Sequence, residues 1–256
     1  MFDENITLEK LKSYPIVLLP NVAILDDEEV EMFTQYVEQG GNLVATDDTR
    51  LYDRLGQLED FRLAHLFGAS FRNKTNYSYN YVSFDDDPIG KDVAAGERFL
   101  CAGKGSGIEA TAPTYGQLWS TFFDREPDRC FLGVHPPHEV LGPAVVTNSY
   151  GQGKVVYCPF RLFAGFASDH AVAELRTIAG NILNSFDHRP IGEVKAPLTV
   201  EAVVREQAKK NRIVVHLVGF NHPFQSVATG EGGSLNEKTV PLMEAVSYTH
   251  LRAPET

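Results

Sequence analysis

Cysteine is scarce and poorly spaced in this chain: Cys101, Cys130 and Cys158 are far apart, odd in number and form no CxxC pair. That pattern encodes neither a zinc ribbon nor a disulfide framework. Each lies in an apolar run (RFLCAG, RCFLG, VVYCPF), where a buried inert thiol is the default. Basic residues are also few. Lys and Arg total 23 against 34 Asp and Glu, a formal charge of −11, and no basic cluster is longer than Lys209-Lys210. A nucleic-acid partner needs concentrated positive charge and is not expected. Long apolar runs are missing too. The uncharged apolar stretch from Tyr14 to Leu25 is broken by Pro15, Pro20 and Asn21 and falls short of the roughly 20 residues that span a bilayer. The opening MFDENITLEK has neither a basic n-region nor an apolar h-region, so no signal peptide is visible. These absences lead us to expect a soluble, acidic, cytoplasmic protein without a membrane partner.

What is present is α/β punctuation. At 256 residues and 43% hydrophobic, the chain can build one large domain, or one domain plus an appendage. Ile16-Val17-Leu18-Leu19 reads as a strand buried on both faces, stopped by Pro20-Asn21. Asp26 and Glu29 have capping-box spacing, with Leu25 and Val30 as the hydrophobic staple. Val30, Phe33, Tyr36 and Val37 form the apolar face of the helix that follows, Gly40-Gly41 supplies its left-handed stop, and Leu43-Val44-Ala45 begins the next strand. Strand, helix and strand in about thirty residues make a βαβ unit with parallel pairing. A second short helix is predicted from Asp60 to Phe67, closed by Gly68.

Residues 69–142 read less clearly, apart from an alternating Tyr77, Tyr79, Tyr81 and the acidic turn Asp85-Asp86-Asp87-Pro88. Ala144–Thr147 and Lys154–Cys158 then flank a glycine turn and predict a hairpin. The spacing of Ala171, Val172, Leu175, Ile178, Ala179, Ile182, Leu183 and Phe186 predicts an amphipathic helix of roughly 18 residues, capped by Ser168 or Asp169. His188 to Gly192 reads as a linker. From about 193 the period switches to two, over Thr199–Val204 and Ile213–Val218 around a charged turn, which is a small antiparallel appendage. Phe224 to Val240 reads as loop.

Few residues carry a signature of chemistry. Gly103, Gly105 and Gly107 sit in KGSGIE, which meets neither the P-loop nor the dinucleotide pattern. Gly151-Gln152-Gly153-Lys154 runs into strand-forming valines and is a tight hairpin turn. His135 and His138 are held apart by two prolines with no completing ligand nearby, so they read as loop histidines. Asp85-Asp86-Asp87 lacks the ligand pattern of a calcium loop. No metal or cofactor is therefore expected. Nor does any GxSxG or GxCxG elbow occur, which argues against a Ser or Cys nucleophile. Two sets of residues remain as ligand or interface candidates. Asp47 and Asp48 follow the C-terminal end of a strand, where ligands of open α/β sheets gather, although a helix-start cap or turn is the favoured explanation. Tyr77, Tyr79 and Tyr81 share a strand face that stacks on sugar rings or packs against a neighbour.

The run LKSYPIVLLPNVAILDDEEVEMFTQYVEQGGNLVATDDTRLYD, followed by FRLAHLFGASF, strongly resembles the β-galactosidase trimerisation domain of family 42 and related glycoside hydrolases. GKVVYCPFRLF, the helix after it and VEAVVREQ...RIVVHLVGFN resemble the closing hairpin, last helix and small C-terminal β region of the same family. The likeness spans roughly residues 5–222 and is loose in the middle third. It implies a flavodoxin-like or class I glutamine amidotransferase-like three-layer sandwich with a mostly parallel sheet, lacking the amidotransferase cysteine. The implied division is 1–188 for this domain, with its first βα unit missing upstream, and 193–244 for a partial β domain. Residues 245–256 (AVSYTHLRAPET spans this tail) resemble a translated adapter sequence and are set aside.

The resemblance also implies that the two catalytic glutamates sit on a preceding barrel outside this chain. The expected function is the non-catalytic trimerisation and C-terminal portion of a β-galactosidase-like glycoside hydrolase, which joins subunits and walls the active site. The partners would be further copies of the chain, in a trimer, and carbohydrate through the barrel. Two other classes stay open: a stand-alone amidotransferase-like hydrolase using one of the cysteines, and a sugar-binding module using the tyrosine face.

Overall fold

A computed structural model describes residues 6–75, 78–122, 135–165, 172–188, 192–195, 200–219 and 247–251. The chain forms two compact units, Met1–Asp187 and His188–Thr256.

The first unit begins with the short helix α1 (Leu8–Lys12), whose Thr7 cap accepts from the Lys10 N–H. β1 (Ile16–Pro20) leads to α2 (Asp27–Glu38). The predicted capping box is present: the Glu29 N–H donates to Asp26 and the Asp26 N–H donates to Glu29, both at 2.7 Å. Leu25 and Val30 join one core, and Gly40 turns the chain at φ +103°. β2 (Asn42–Thr46) follows, then the two-residue strands β3 (Tyr52–Asp53) and β4 (Gly56–Gln57). The one-turn helix α3 (Ala64–Phe67) precedes β5 (Ala69–Lys74), β6 (Tyr79–Ser83), β7 (Arg98–Ala102), β8 (Ser106–Ala110) and β9 (Thr114–Thr121). Last come β10 (Pro137–Tyr150), β11 (Gly153–Cys158) and α4 (Ala173–Asn184).

Seven strands share one mixed sheet, in the order β1-β2-β11-β10-β9-β6-β7. Only β1–β2 and β2–β11 are parallel; the other pairings are antiparallel, so the mostly parallel sheet expected from the sequence is corrected. The reason is connectivity. A parallel pair needs a crossover of a dozen or more residues, usually helical, and the β1–α2–β2 unit is the one direct strand–helix–strand crossover among the described elements of this sheet. From β5 to β11 the chain turns back on itself through hairpins and loops. β1 is also an edge strand in the described sheet and not buried on both faces: Leu19 is buried while Leu18 is exposed. Edge placement is what allows Pro20 to end it.

Period-two alternation then feeds two cores. Leu43 and Ala45 of β2, with Val155 and Tyr157 of β11, pack against Leu11, Phe33, Val37 and Phe67 of α1, α2 and α3. On the opposite face Val44, Val156 and Cys158 pack with Leu175, Ile178 and Ile182 of α4. Each fully buried Leu, Val, Ile or Phe contributes about 1.5–3 kcal/mol relative to exposure. Helices thus cover both faces of the β2–β11 half of the sheet.

Three boundaries differ from the sequence reading. The helix predicted from Asp60 shrinks to Ala64–Phe67, because the Asp60 carboxylate accepts from the Phe61 and Phe71 N–H groups and ties a loop to β5. α4 begins after Val172, which caps it without a side-chain bond; the expected caps Ser168 and Asp169 lie outside the described residues. The 144–158 hairpin is present and longer, turning at Gly151 with φ +57°, where a Cβ would meet the Glu38 backbone at 2.5 Å. Added backbone contact and positive φ both select glycine there.

The second unit contains a hairpin of β13 (Val200–Gln207) and β14 (Arg212–Gly219), paired from Val200–Gly219 to Gln207–Arg212. Lys209, Lys210 and Asn211 make its turn, Asn211 at φ +46°. β12 (Gly192–Lys195) pairs with β15 (Ser247–Leu251), so five residues of the tail set aside above form a strand. The predicted loop from Phe224 to Val240 lies outside the described residues.

Candidate functional site

Asp47 and Asp48 leave the C-terminal end of β2 beside the same end of its parallel neighbour β11. The Asp47 N–H extends the ladder by donating to the Cys158 carbonyl at 2.8 Å, and Asp47 then turns into the left-handed region at φ +52°. Asp tolerates that conformation better than most side chains. Its carbonyl accepts from the Tyr157 hydroxyl at 2.7 Å, and the Tyr157 ring is stacked on Phe67 at 4.4 Å. The core therefore fixes the backbone that presents this carboxylate.

The carboxylates point inward, not at a helix start. Lys74 Nζ, at the end of β5, donates to Asp47 Oδ1 at 2.7 Å and also bonds Asp48 Oδ1. Arg161, just past β11, donates through Nε to Asp47 Oδ2 at 2.8 Å. Ser106 lies within reach, its Oγ 3.3 Å from Lys74 Nζ. The Asp48 N–H is held by Asn21 Oδ1 at 3.2 Å. The turn reading of the sequence fits the backbone, and the capping reading is corrected: both carboxylates serve an ion-pair network. Burial raises the Asp47 carboxyl above its usual range, with Asp48 adding in the same direction and Lys74 and Arg161 opposing.

Chemically, two carboxylates are balanced by two cations, and the network contains neither histidine nor cysteine. Cys101 lies nearby, but burial, reinforced by the negative charge of Asp47, pushes its thiol up to about 12. Burial raises the Cys158 thiol as well. Neither is a thiolate at neutral pH, as a nucleophilic cysteine must be. Cys130 lies outside the described residues. Among the described residues no group of three or more His, Cys, Asp or Glu side chains is placed to hold a metal ion, and no helix is long and apolar enough to cross a membrane.

The other candidates lie apart from this network. Tyr79 and Tyr81 sit two apart on β6, both half-buried, while Tyr77 lies outside the described residues. The Tyr81 hydroxyl donates to the His135 carbonyl at 2.9 Å, and Tyr81 pairs across the sheet with Trp119, whose ring is covered by Arg98 at 4.1 Å. His138 meets Phe122 edge-on at 4.8 Å. Asp87 Oδ1 accepts from the Ile89 and Gly90 N–H groups at 2.8 Å, closing the acidic turn.

Sequence reading missed Lys74, Ser106 and Arg161, which lie 27, 58 and 114 residues from their carboxylate partners. The available signal was placement: Arg161 follows a strand next to β2 and so emerges at the same sheet edge. A second ionic cluster was also missed. Asp27, in the first turn of α2, accepts from Arg62 at 2.6 Å and from Arg50 at 3.4 Å. Arg50 is buried, with Nε lacking a partner.

Residues 6–69 match the family described as the beta-galactosidase trimerisation domain. Among solved structures, the chain is similar to Gan42B, a GH42 beta-galactosidase from G. stearothermophilus, at 20% identity and a TM-score of 0.53, over 77% of this chain and 25% of that one. It is likewise similar to alpha-L-fucosidase isoenzyme 2 from Paenibacillus thiaminolyticus, at 20% identity and a TM-score of 0.64, over 83% of this chain and 31% of that one. A beta-galactosidase from Bacillus circulans sp. alkalophilus aligns at 18% identity and a TM-score of 0.55, over 77% and 26%. At these identities the likeness is one of fold. The chain covers between a quarter and a third of those proteins. No curated protein matches it.

Proposed function

We propose that a chain whose residues 6–69 match the beta-galactosidase trimerisation domain is a non-catalytic, subunit-joining part of a larger glycoside hydrolase. The observation that carries this reading is that match, on a fold recurring as a quarter to a third of glycosidases. The candidate site supports it from the chemical side: the Asp47 network is charge-balanced, and the described cysteines are buried thiols. On this reading a catalytic barrel elsewhere in the parent protein receives the carbohydrate, and the chain's direct partners are copies of itself. The β1–α2–β2–β11 half of the sheet, with helices on both faces, is then the amidotransferase-like portion, with no reactive cysteine among the described residues.

Light scattering of the full 256-residue chain tests the reading. The expected result is concentration-dependent association up to three chain masses. A clean monomer at all concentrations would overturn the subunit-joining role. Hydrolysis of an aryl β-galactoside by the purified chain would overturn the non-catalytic assignment.

A further inference from the structure

We infer that the β3–β4 hairpin tip of one copy docks into the acidic groove along α1 and α2 of a second copy, with Leu55 as the apolar anchor and Arg54 as its charged companion. The inference rests on the self-association reading above and names the surface that would carry it.

The tip is built to hold a hydrophobic side chain in water. Leu55 is 97% exposed, and neighbouring Ile24 is 56% exposed. Exposed apolar residues grouped together and rimmed by charge mark interaction surfaces. The tip is also rigid. Asp53 Oδ1 accepts from the Leu55 N–H at 2.7 Å and the Gly56 N–H at 3.0 Å. Tyr52 and Asp53 pair with Gln57 and Gly56, and Ile24 bridges to Tyr52. A preorganised anchor loses little conformational freedom on docking. Because Asp53 is occupied by this turn, Arg54 carries a cation with no ion pair or hydrogen bond among the described residues.

The groove has the complementary character. It is an open depression of about 480 Å3 lined by Leu8, Asp27, Glu28, Glu31, Met32 and Gln35. Leu8 and Met32 offer an apolar floor. The Glu28 carboxylate has no hydrogen-bond partner among the described residues, and that of Glu31 accepts from Gln35 at 2.8 Å. Asp27 is already taken by Arg50 and Arg62. The groove is therefore acidic at Glu28 and Glu31, where an incoming Arg54 would meet them, and apolar where Leu55 would sit. Leucine beside arginine entering leucine and methionine beside glutamate matches the usual anatomy of an interface anchor.

Both surfaces belong to residues 6–69, the segment that matches the trimerisation domain. They are different patches of one molecule, so the contact is head-to-tail, the kind that closes into a ring when its rotation allows.

Sedimentation equilibrium of the full chain decides the matter. Leu55→Asp and Arg54→Glu should each weaken self-association at least tenfold while leaving the thermal melt unchanged, since both side chains are exposed. Glu28→Lys with Glu31→Lys should weaken it similarly. Combining those two changes with Arg54→Glu should restore it, because the charges are exchanged and the geometry is kept. If Leu55→Asp and Arg54→Glu associate like the parent chain, this surface is wrong while the assembly reading stands. If every variant weakens but the combined one is not restored, the pairing of tip with groove is wrong. If the parent chain is itself monomeric, the assembly reading falls and takes this one with it.

Discussion

Asp47 and Asp27 are each held by two cations, yet they sit in opposite solvents. The Asp47 side chain is 0% exposed between Lys74 and Arg161, whereas that of Asp27 is 75% exposed between Arg50 and Arg62. The contact geometry is alike: 2.7 and 2.8 Å at Asp47, 2.6 and 3.4 Å at Asp27. The energetics are not. In a dry environment a lost partner leaves an uncompensated charge, which costs about 3–5 kcal/mol. At the surface, water and salt take the partner's place, and a pair contributes about 0–1 kcal/mol. Burial, more than distance, decides which aspartate holds the fold.

The comparison can be broken experimentally. Asp47→Ala removes an acceptor from Lys74, which keeps Asp48, and from the partly exposed Arg161, and should lower unfolding free energy by about 1–3 kcal/mol in urea denaturation. A loss under about 1 kcal/mol would place Asp47 in the same class as the surface pair. The pH dependence of stability comes next in size. Because burial raises the Asp47 carboxyl in the folded chain, the folded state takes up a proton that the unfolded state does not. Stability relative to Asp47→Asn should therefore rise as pH falls from the raised value toward 3.8, the ordinary value, and stay level below it. The slope is at most about 1.4 kcal/mol per pH unit. A difference that shrinks with acid would mean that Lys74 and Arg161 outweigh burial. Asp27→Ala should have the smallest effect, about 1 kcal/mol or less, and it should fade in molar salt as exposed pairs do. A salt-insensitive loss would show that the buried Arg50 governs that cluster.

Local order was legible where neighbouring residues supply it. The Asp26–Glu29 box, the Gly40 stop, the 144–158 hairpin and the 200–219 hairpin each depend on contacts within a few residues or on one turn. The burial of β1 was misread because IVLLP has the composition of a strand covered on both faces wherever it stands. Whether such a run lies inside or at an edge depends on neighbours far along the chain. The candidate site was half legible for the same reason: Asp47-Asp48 is visible as a pair, while Lys74 and Arg161 have no local pattern that ties them to it.

By itself, the sequence determined the elements, the scarcity of reactive thiols and the acidic surface, because these follow from residue type and short-range spacing. Tertiary structure alone decided that Asp47 would be dry and Asp27 wet. It also decided that Leu55 would stand at an exposed tip opposite in charge to the α1–α2 groove. Solvent exposure and through-space charge are properties of packing, and packing joins residues more than a hundred positions apart.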